Sequence, residues 1–320
     1  INPIINPSMN QIVSPTINPN FFPNDTIVNL DNDSNKYICT KTIVGHLDMI
    51  ACISMLSSGK LASGSYDCTI KIWNLDTEKC EKTINENGNV FCLLEYEPNM
   101  ILSGTNNNTI QLWDINNIYV QNLFTFEGHL LWVNCLIKCS NTHFASASND
   151  HDIRIWDYYN RRLINILRGH TDCVSDLILL RDGRLCSGGA DNTIRIWDWK
   201  LNVCDAILTG HNKRVKCVCE INNSYILSGS DDKTIKVWKD NICVNTLCEH
   251  TKSVRTICQI SERSFASGSF DNNIKIWDSN SCAFLDTINA HIGHIISIIP
   301  IINGFISCSN DKTIKVWLKE

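Results

Sequence analysis

The chain has 320 residues, of which 43% are hydrophobic and 19% charged, and its formal net charge is −5. This composition is ordinary for a globular protein, and the acidic balance excludes the broad basic footprint that general nucleic-acid binding requires. No stretch approaches the run of about 18 apolar residues that a membrane span needs, so we expect no membrane insertion.

Residues 1–36 form an Asn/Pro-rich, low-complexity segment that differs from the rest of the chain. They hold five of the seven prolines, and no Lys or Arg precedes Lys36. Such a segment buries too little apolar surface to offset the entropy of ordering it, so we predict a tail or linker. The N-terminus has neither a starting Met nor a signal-peptide layout, so we expect a cytoplasmic or nuclear chain that is part of a longer protein.

Residues 37–320 contain seven repeats, each marked by a Trp that recurs every 39 to 43 residues. The residues before each Trp alternate in type, as in Thr69–Trp73, which predicts strands. In six repeats a His, a Ser and an Asp precede the Trp at nearly constant spacing. These sets are His46, Ser63, Asp67, Trp73; His129, Ser146, Asp150, Trp156; His170, Ser187, Asp191, Trp197; His211, Ser228, Asp232, Trp238; His250, Ser267, Asp271, Trp277; and His291, Ser307, Asp311, Trp317.

This Gly-His…Trp-Asp pattern, with a period near 40 residues, resembles the WD-repeat family. The resemblance implies an all-β, seven-bladed β-propeller with four antiparallel strands per blade, and a hydrogen-bonded His, Ser, Asp and Trp tetrad in each blade. A buried Trp N–H needs an acceptor, which Ser supplies, while Asp holds the His in place. In the second repeat Glu86 and Asn107 replace His and Asp, so we expect a broken tetrad and the least rigid blade.

The two ends of the repeat region predict how the propeller closes. Only three residues follow Trp317, too few for an outer strand, whereas residues 37–43 match the outer strands of other repeats. We therefore predict that the N-terminal strand completes the last blade. This closure removes sheet edges that otherwise invite aggregation.

The 17 cysteines recur at repeat positions such as Cys52, Cys92, Cys135 and Cys217. We expect equivalent positions to point away from each other, so these side chains should be reduced, buried apolar residues. The spacing Cys135-x3-Cys139-x3-His143 is a poor match to metal ligands, so no metal site is expected. The chain has no nucleophile elbow, P-loop or dinucleotide fingerprint, so we expect neither catalysis nor a cofactor.

Candidate binding residues are those that differ between repeats at the mouth of the channel. One set precedes the turn Asp or Asn: Tyr66, Asn106, Asn149, Ala190, Asp231, Phe270 and Asn310. A second set opens the inner strands, with the pairs Met49 and Ala51, Asn89 and Phe91, Trp132 and Asn134, Cys173 and Ser175, Arg214 and Lys216, Ser253 and Arg255, and His294 and Ile296. From these sets we predict partner binding by Tyr66, Trp132, Arg214, Lys216, Asp231, Arg255 and Phe270.

The cations Lys216 and Arg255 occupy equivalent points of neighbouring repeats. This basic sector is similar to the phosphopeptide-reading surface of F-box/WD substrate receptors, although Asp231 stands where a further arginine would help. A solvated basic rim is the alternative. We predict a monomeric, non-enzymatic scaffold that binds proteins or acidic or phosphorylated peptides on its top face. Two alternatives remain open: the substrate receptor of a ubiquitin ligase, and the propeller domain of a larger enzyme.

Overall fold

The chain in the computed structural model is built from seven four-stranded antiparallel sheets. The structure describes residues 36–116 and 120–320, so the predicted tail lies outside the described residues except for Lys36. The innermost strands of neighbouring sheets contact one another around a closed ring, so each sheet is one blade of a propeller. The prediction of an all-β, seven-bladed propeller is confirmed. Within these ranges no helix has the length and hydropathy needed to cross a membrane.

Each blade runs outward from the channel through four strands. The innermost strands of blades 1 to 7 are β2 (Ile50–Met55), β6 (Val90–Glu97), β10 (Val133–Lys138), β14 (Val174–Leu179), β18 (Val215–Ile221), β22 (Val254–Gln259) and β26 (Ile295–Ile301). The second strands are β3 (Leu61–Ser65), β7 (Met100–Thr105), β11 (His143–Ser148), β15 (Leu185–Gly189), β19 (Tyr225–Ser230), β23 (Ser264–Ser269) and β27 (Gly304–Ser309). The third strands are β4 (Thr69–Asn74), β8 (Ile110–Asp114), β12 (Ile153–Asp157), β16 (Thr193–Asp198), β20 (Ile235–Lys239), β24 (Asn273–Asp278) and β28 (Thr313–Lys319). The outer strands are β5 (Lys79–Asn85), β9 (Gln121–Phe126), β13 (Arg162–Leu167), β17 (Val203–Thr209), β21 (Ile242–Leu247), β25 (Phe284–Asn289) and, in blade 7, β1 (Tyr37–Val44). A 3-10 turn, Asn222–Ser224, precedes β19.

The N-terminal strand closes the ring as predicted. Strand β1 pairs antiparallel with β28, in a register that runs from Tyr37 opposite Lys319 to Val44 opposite Thr313. Ile43 is buried in the core, and the Tyr37 ring lies 5.1 Å from the ring of Phe305. Because β1 completes the last blade, β28 has a hydrogen-bonded strand on both sides and no exposed edge.

The core lies between blades rather than at one centre. Trp73 of blade 1, for example, packs with Ile306 and Ile314 of blade 7 in one buried cluster. Glycines allow this close approach: a Cβ at Gly64 would lie only 2.5 Å from Cγ1 of Val90 in the next blade. Each blade is therefore stabilised mainly by burying its faces against its two neighbours.

Six blades contain a connected His, Ser, Asp and Trp network. In blade 4 the His170 ring lies 2.9 Å from Asp191 and 2.7 Å from Ser187, whose hydroxyl accepts a 2.8 Å bond from the Trp197 N–H. Blades 1, 3, 5, 6 and 7 repeat this geometry, with His–Asp distances of 2.8 to 3.0 Å. Each network ties the top turn of its blade to the buried Trp.

The second blade keeps a network in a different form. Glu86 is buried at the His position and accepts hydrogen bonds from Ser103 and from the Trp113 N–H, the latter at 2.8 Å. Asn107 instead donates to the main-chain carbonyl of Asn87 at 2.8 Å. The expectation of a broken tetrad was therefore wrong in part: the His–Asp link is lost, but a carboxylate satisfies the Ser–Trp pair because its oxygen accepts from both donors.

Candidate functional site

A β-bulge in every innermost strand aims one side chain into the central channel. In blade 5 the pairing with β19 skips from Val215 to Cys217, and in blade 6 the pairing with β23 skips from Val254 to Thr256. The seven skipped residues, all of which line the channel, are Ala51, Phe91, Asn134, Ser175, Lys216, Arg255 and Ile296. A bulge re-aims a side chain out of the regular alternation. The fold therefore presents seven non-equivalent side chains at one opening.

The two sequence-selected sets meet at the top of each blade. The main-chain N–H of the residue before the turn Asp or Asn donates to the carbonyl of the residue that stands at the start of the inner strand of the same blade. The bonds Tyr66 to Met49, Asn149 to Trp132, and Phe270 to Ser253 are each 2.9 Å long. The top face is thus a ring of rigid turns that hold variable side chains.

The predicted basic sector is assembled at the boundary between blades 5 and 6. The Arg255 guanidinium donates a 3.3 Å hydrogen bond to the main-chain carbonyl of Lys216. Nζ of Lys216 lies 3.8 Å from a carboxylate oxygen of Asp231, whose other oxygen accepts a bond from the Ser253 hydroxyl. Arg214 is exposed beside them, and its carbonyl accepts from the Asp231 N–H at 3.0 Å. Asp231 is therefore the internal counter-ion of the sector.

The environment of Lys216 changes its titration. Burial lowers the pKa of its ammonium to about 8, and the charge of Arg255 adds to this lowering, whereas Asp231 opposes it. The ammonium is consequently still mostly protonated at neutral pH but only partly solvated. A partly desolvated cation binds an incoming anion more strongly than a fully hydrated one.

An aromatic row lies across the mouth on blades 1 to 3. The ring of Phe91 lies 5.2 Å from Tyr66 in an edge-on arrangement and 5.3 Å from Trp132 in a stacked one. Trp132 is 45% exposed, and its neighbours Leu130 and Leu131 are exposed as well. Tyr66, Phe91 and Trp132 thus form one contiguous aromatic group at the mouth, and Leu130 and Leu131 precede Trp132 in the chain. From the sequence, Phe91 was placed at the channel mouth, but it was not among the predicted binding residues.

Phe270 does not join this row. Its ring stacks on His294 at 4.4 Å and packs against the core cluster between blades 1 and 7 that includes Met49. Phe270 therefore lies apart from Tyr66 and Trp132, and the aromatic residues form two groups rather than one ring.

Asp176 is a channel residue that the sequence reading missed. It occupies the position of Cys52, Cys92, Cys135 and Cys217 in other blades, and its carboxylate accepts main-chain bonds of 2.9 Å from Leu177 and from Val218 of blade 5. Burial raises the pKa of this carboxyl above its ordinary value, and the two main-chain bonds oppose the shift. The signal in the sequence was an acid at a position that is otherwise Cys, Thr or Ser.

The cysteines at equivalent repeat positions do not point away from each other as expected. Cys52, Cys92, Cys135 and Cys217 all line the central channel rather than pointing apart, because inner strands of a closed ring share one axis. Two of these thiols contact a main-chain carbonyl of the next blade: Cys92 lies 3.6 Å from that of Val133, and Cys135 lies 3.4 Å from that of Leu177. All 17 cysteines are free, and burial raises the pKa of the Cys52 thiol to about 12.

Trp199 lies two residues after the repeat Trp of blade 4 and has a structural role. It is buried, donates to the Gly183 carbonyl at 3.0 Å and packs against His143. Six repeats carry a cation two residues before the Trp, and these cations contact their own blade, as when Lys275 bonds the Thr287 hydroxyl at 2.9 Å. These groups stabilise the blades rather than the mouth.

The fold and its repeated networks define the class of protein, a WD-repeat propeller. The family model "WD domain, G-beta repeat" matches six segments that together exceed half of the chain: residues 37–74, 120–157, 161–198, 202–239, 241–278 and 283–317. The chain belongs to the WD-repeat family. The unmatched interval contains most of blade 2, where Glu86 and Asn107 replace the usual residues.

Curated relatives match part of this chain. Mitochondrial division protein 1 of Eremothecium gossypii is 28% identical over 172 residues, which are 45% of this chain and 24% of that protein. The E3 ubiquitin-protein ligase COP1 of Arabidopsis thaliana is 36% identical over 115 residues, or 35% of this chain and 17% of that protein. Nuclear distribution protein PAC1 of Gibberella zeae is 32% identical over 130 residues, or 37% of this chain and 28% of that protein. The chain thus spans less than a third of each of these relatives.

Proposed function

We propose that this propeller is a protein-interaction scaffold whose top face binds a short peptide carrying a phosphate or carboxylates beside an apolar residue. The observation that carries the proposal is the pair of bulge cations, Lys216 and Arg255, held at adjacent positions of the channel mouth. WD-repeat propellers are typical interaction platforms, and the family membership supports a binding role.

The anionic half of the ligand is argued from the basic sector. Arg255 is fixed by its bond to the Lys216 carbonyl, so its guanidinium is preorganised and loses little freedom on binding. Nζ of Lys216 lies 3.8 Å from the Asp231 carboxylate, which is longer than a close ion pair. An incoming phosphate can therefore replace this weak ion pair with direct contacts to the ammonium. Two cations on one anion give strong charge-assisted hydrogen bonds.

The apolar half of the ligand is argued from the aromatic row. Trp132 stays 45% exposed in a stack with Phe91, so a ligand side chain can bury it at little cost in conformational entropy. Large aromatic residues are common anchors of interfaces. The row and the basic sector open on the same channel, so one short extended peptide can contact both.

The experiment uses fluorescence anisotropy with labelled peptides that carry one phosphothreonine or phosphoserine flanked by leucine, each paired with its unphosphorylated form. The chain should prefer phosphorylated peptides, and Lys216→Ala combined with Arg255→Ala should weaken binding by well over about tenfold, since each charge-assisted contact contributes about 1.5–3 kcal/mol. Neither residue belongs to a tetrad, so the double variant should keep its fold, which a thermal melt checks.

The matched control removes the same charge elsewhere. Lys79 and Arg181 are exposed and lie away from the mouth, so the double variant Lys79→Ala, Arg181→Ala should bind like the wild type. Equal weakening of peptide binding by both double variants would show that the effect comes from net charge alone and not from this site. Affinity unchanged in the Lys216, Arg255 variant would overturn the site.

A second candidate is the substrate-reading part of a ubiquitin ligase. The ligase similarity favours it, because one relative is named as an E3 ubiquitin-protein ligase and the basic sector suits a phosphorylated substrate. This candidate needs the same mouth residues plus a ligase component elsewhere. Quantitative ubiquitylation of a captured partner by the full-length protein, lost in the Lys216→Ala, Arg255→Ala variant, would distinguish it from a passive scaffold.

A further inference from the structure

Three side chains of metal-ligating type converge on the top face between blades 3 and 4. The ligand atoms of His151, Asp172 and Cys173 all lie within 4.8 Å of one another. Among the described residues this is the group that brings imidazole, carboxylate and thiol together in this way. It lies outside the basic sector and the aromatic row described above.

The fold explains why these residues meet. The last residue of each top turn has a positive φ, 72° at His151, and in blades 1, 2, 6 and 7 its side chain bonds the loop of the next blade. Asn108 bonds the Leu130 carbonyl at 2.9 Å, and Lys312 bonds the Leu47 carbonyl at 2.7 Å. His151 occupies this bridging position, so its imidazole falls on the loop of blade 4 that carries Asp172 and Cys173.

That loop is itself anchored. The Cys173 carbonyl accepts a 2.7 Å bond from the Ala190 N–H, and the Asp172 carboxylate accepts a 2.7 Å bond from the Cys173 N–H. The main chain beneath two of the three ligands is therefore held in place. The Asp172 carboxylate has a second oxygen that can face an ion, and the His151 side chain is exposed.

We propose that His151, Asp172 and Cys173 form a zinc-binding site across the boundary of blades 3 and 4. Imidazole, thiolate and carboxylate are the ligands that Zn²⁺ takes, at about 2.0–2.3 Å, which places tetrahedral ligand atoms about 3.4–3.6 Å apart. The present separations of up to 4.8 Å need closure of about 1 Å, which is within the rotation of surface side chains. Three protein ligands leave a fourth position for water or for a side chain of a bound partner.

One neighbouring charge opposes the ion and provides a test. Arg214 of blade 5 lies close enough to act electrostatically on both Asp172 and Cys173. Its positive charge disfavours a cation in the site. Removing that charge should therefore strengthen zinc binding, which a purely structural cluster would not show.

The experiment titrates the folded, reduced protein with Co²⁺ and Zn²⁺. Cobalt bound to the site should produce a thiolate-to-cobalt charge-transfer band and tetrahedral visible bands, which one equivalent of Zn²⁺ removes. Cys173→Ala should abolish the charge-transfer band, and His151→Ala should weaken zinc binding by at least about tenfold. Arg214→Gln should strengthen zinc binding a few-fold, and thermal melts check that each variant folds.

The other thiols supply the controls. Cys39, Cys80 and Cys248 are exposed and far along the chain from this cluster, so Cys248→Ala should leave the band unchanged. A band that survives in Cys173→Ala, or that disappears in Cys248→Ala, would overturn the site. So would the absence of a charge-transfer band in the wild type at saturating Co²⁺.

Discussion

The Arg255 guanidinium donates a 3.3 Å hydrogen bond to the main-chain carbonyl of Lys216, across the boundary between blades 5 and 6. Because the acceptor is a main-chain atom, the bond fixes Arg255 without neutralising either side chain. The two bulges thus hold two positive charges together at the channel mouth, with Asp231 as their counter-ion.

The pH dependence of anion binding should follow Lys216. Since the pKa of this lysine is lowered to about 8, its charge is lost as the pH rises through that value, far below the ordinary lysine range. Affinity for a phosphorylated peptide should therefore fall above pH of about 8, with the midpoint moved upward by the bound anion. Anisotropy titrations over this range measure the effect. Lys216→Arg should give a flat profile, because guanidinium does not titrate there, and a wild-type profile that is equally flat would contradict this assignment.

Closure of the last blade should depend on β1 and not on the residues before it. Deleting residues 1–44 removes the partner of β28 and the buried Ile43, and should lower the free energy of unfolding by about 2 kcal/mol or more. Deleting residues 1–34 should change it little. Denaturant titrations of both truncations test this, and equal stability of the two would speak against the closure.

The intact and substituted networks should differ in their contribution to stability. Asp191 accepts bonds from His170, from the Thr193 hydroxyl and from two main-chain N–H groups, so Asp191→Ala should cost about 1–3 kcal/mol. Asn107 donates only one side-chain bond, at an exposed position, so Asn107→Ala should cost clearly less. Denaturant titration compares the two free energies of unfolding, and a larger loss of stability from Asn107→Ala than from Asp191→Ala would contradict this prediction.

Restoring the family residues in blade 2 should be cooperative. Burial raises the pKa of Glu86 above its ordinary value, its bonds to Ser103 and Trp113 oppose the shift, and its second oxygen is buried without a hydrogen-bond partner. Glu86→His together with Asn107→Asp should stabilise the protein by about 1–2 kcal/mol, whereas Asn107→Asp alone should destabilise it by adding an acid near Glu86.

The sign of the accompanying pH effect follows from the same shift. A carboxyl whose folded pKa is raised stabilises the fold at low pH, and this contribution is lost as the pH rises through that pKa. The gain from the double substitution should therefore increase as the pH rises through the Glu86 pKa. A double-mutant cycle measured at acidic and neutral pH checks both statements, and strictly additive effects would show that no new His–Asp bond forms.

The sequence by itself determined the architecture of this protein. Seven Trp residues recur in register, and each ends a run of residues that alternate in type. This pattern required seven blades, and residues 37–43 identified the strand that closes the last blade. Local periodicity suffices for such features because every repeat must bury the same faces against its neighbours.

Only the tertiary structure decided which side chains meet at the mouth. The bulges that aim Lys216 and Arg255 into the channel, the separation of Phe270 from the Trp132 stack, and the approach of His151 to Cys173 all depend on the neighbouring blade. These relations are set by contacts between residues about 20 to 40 positions apart, whose geometry comes from ring closure rather than from local pattern. Glu86 shows the same limit: its replacement of His was visible in the sequence, but only the packed blade showed that its carboxylate satisfies Ser103 and Trp113.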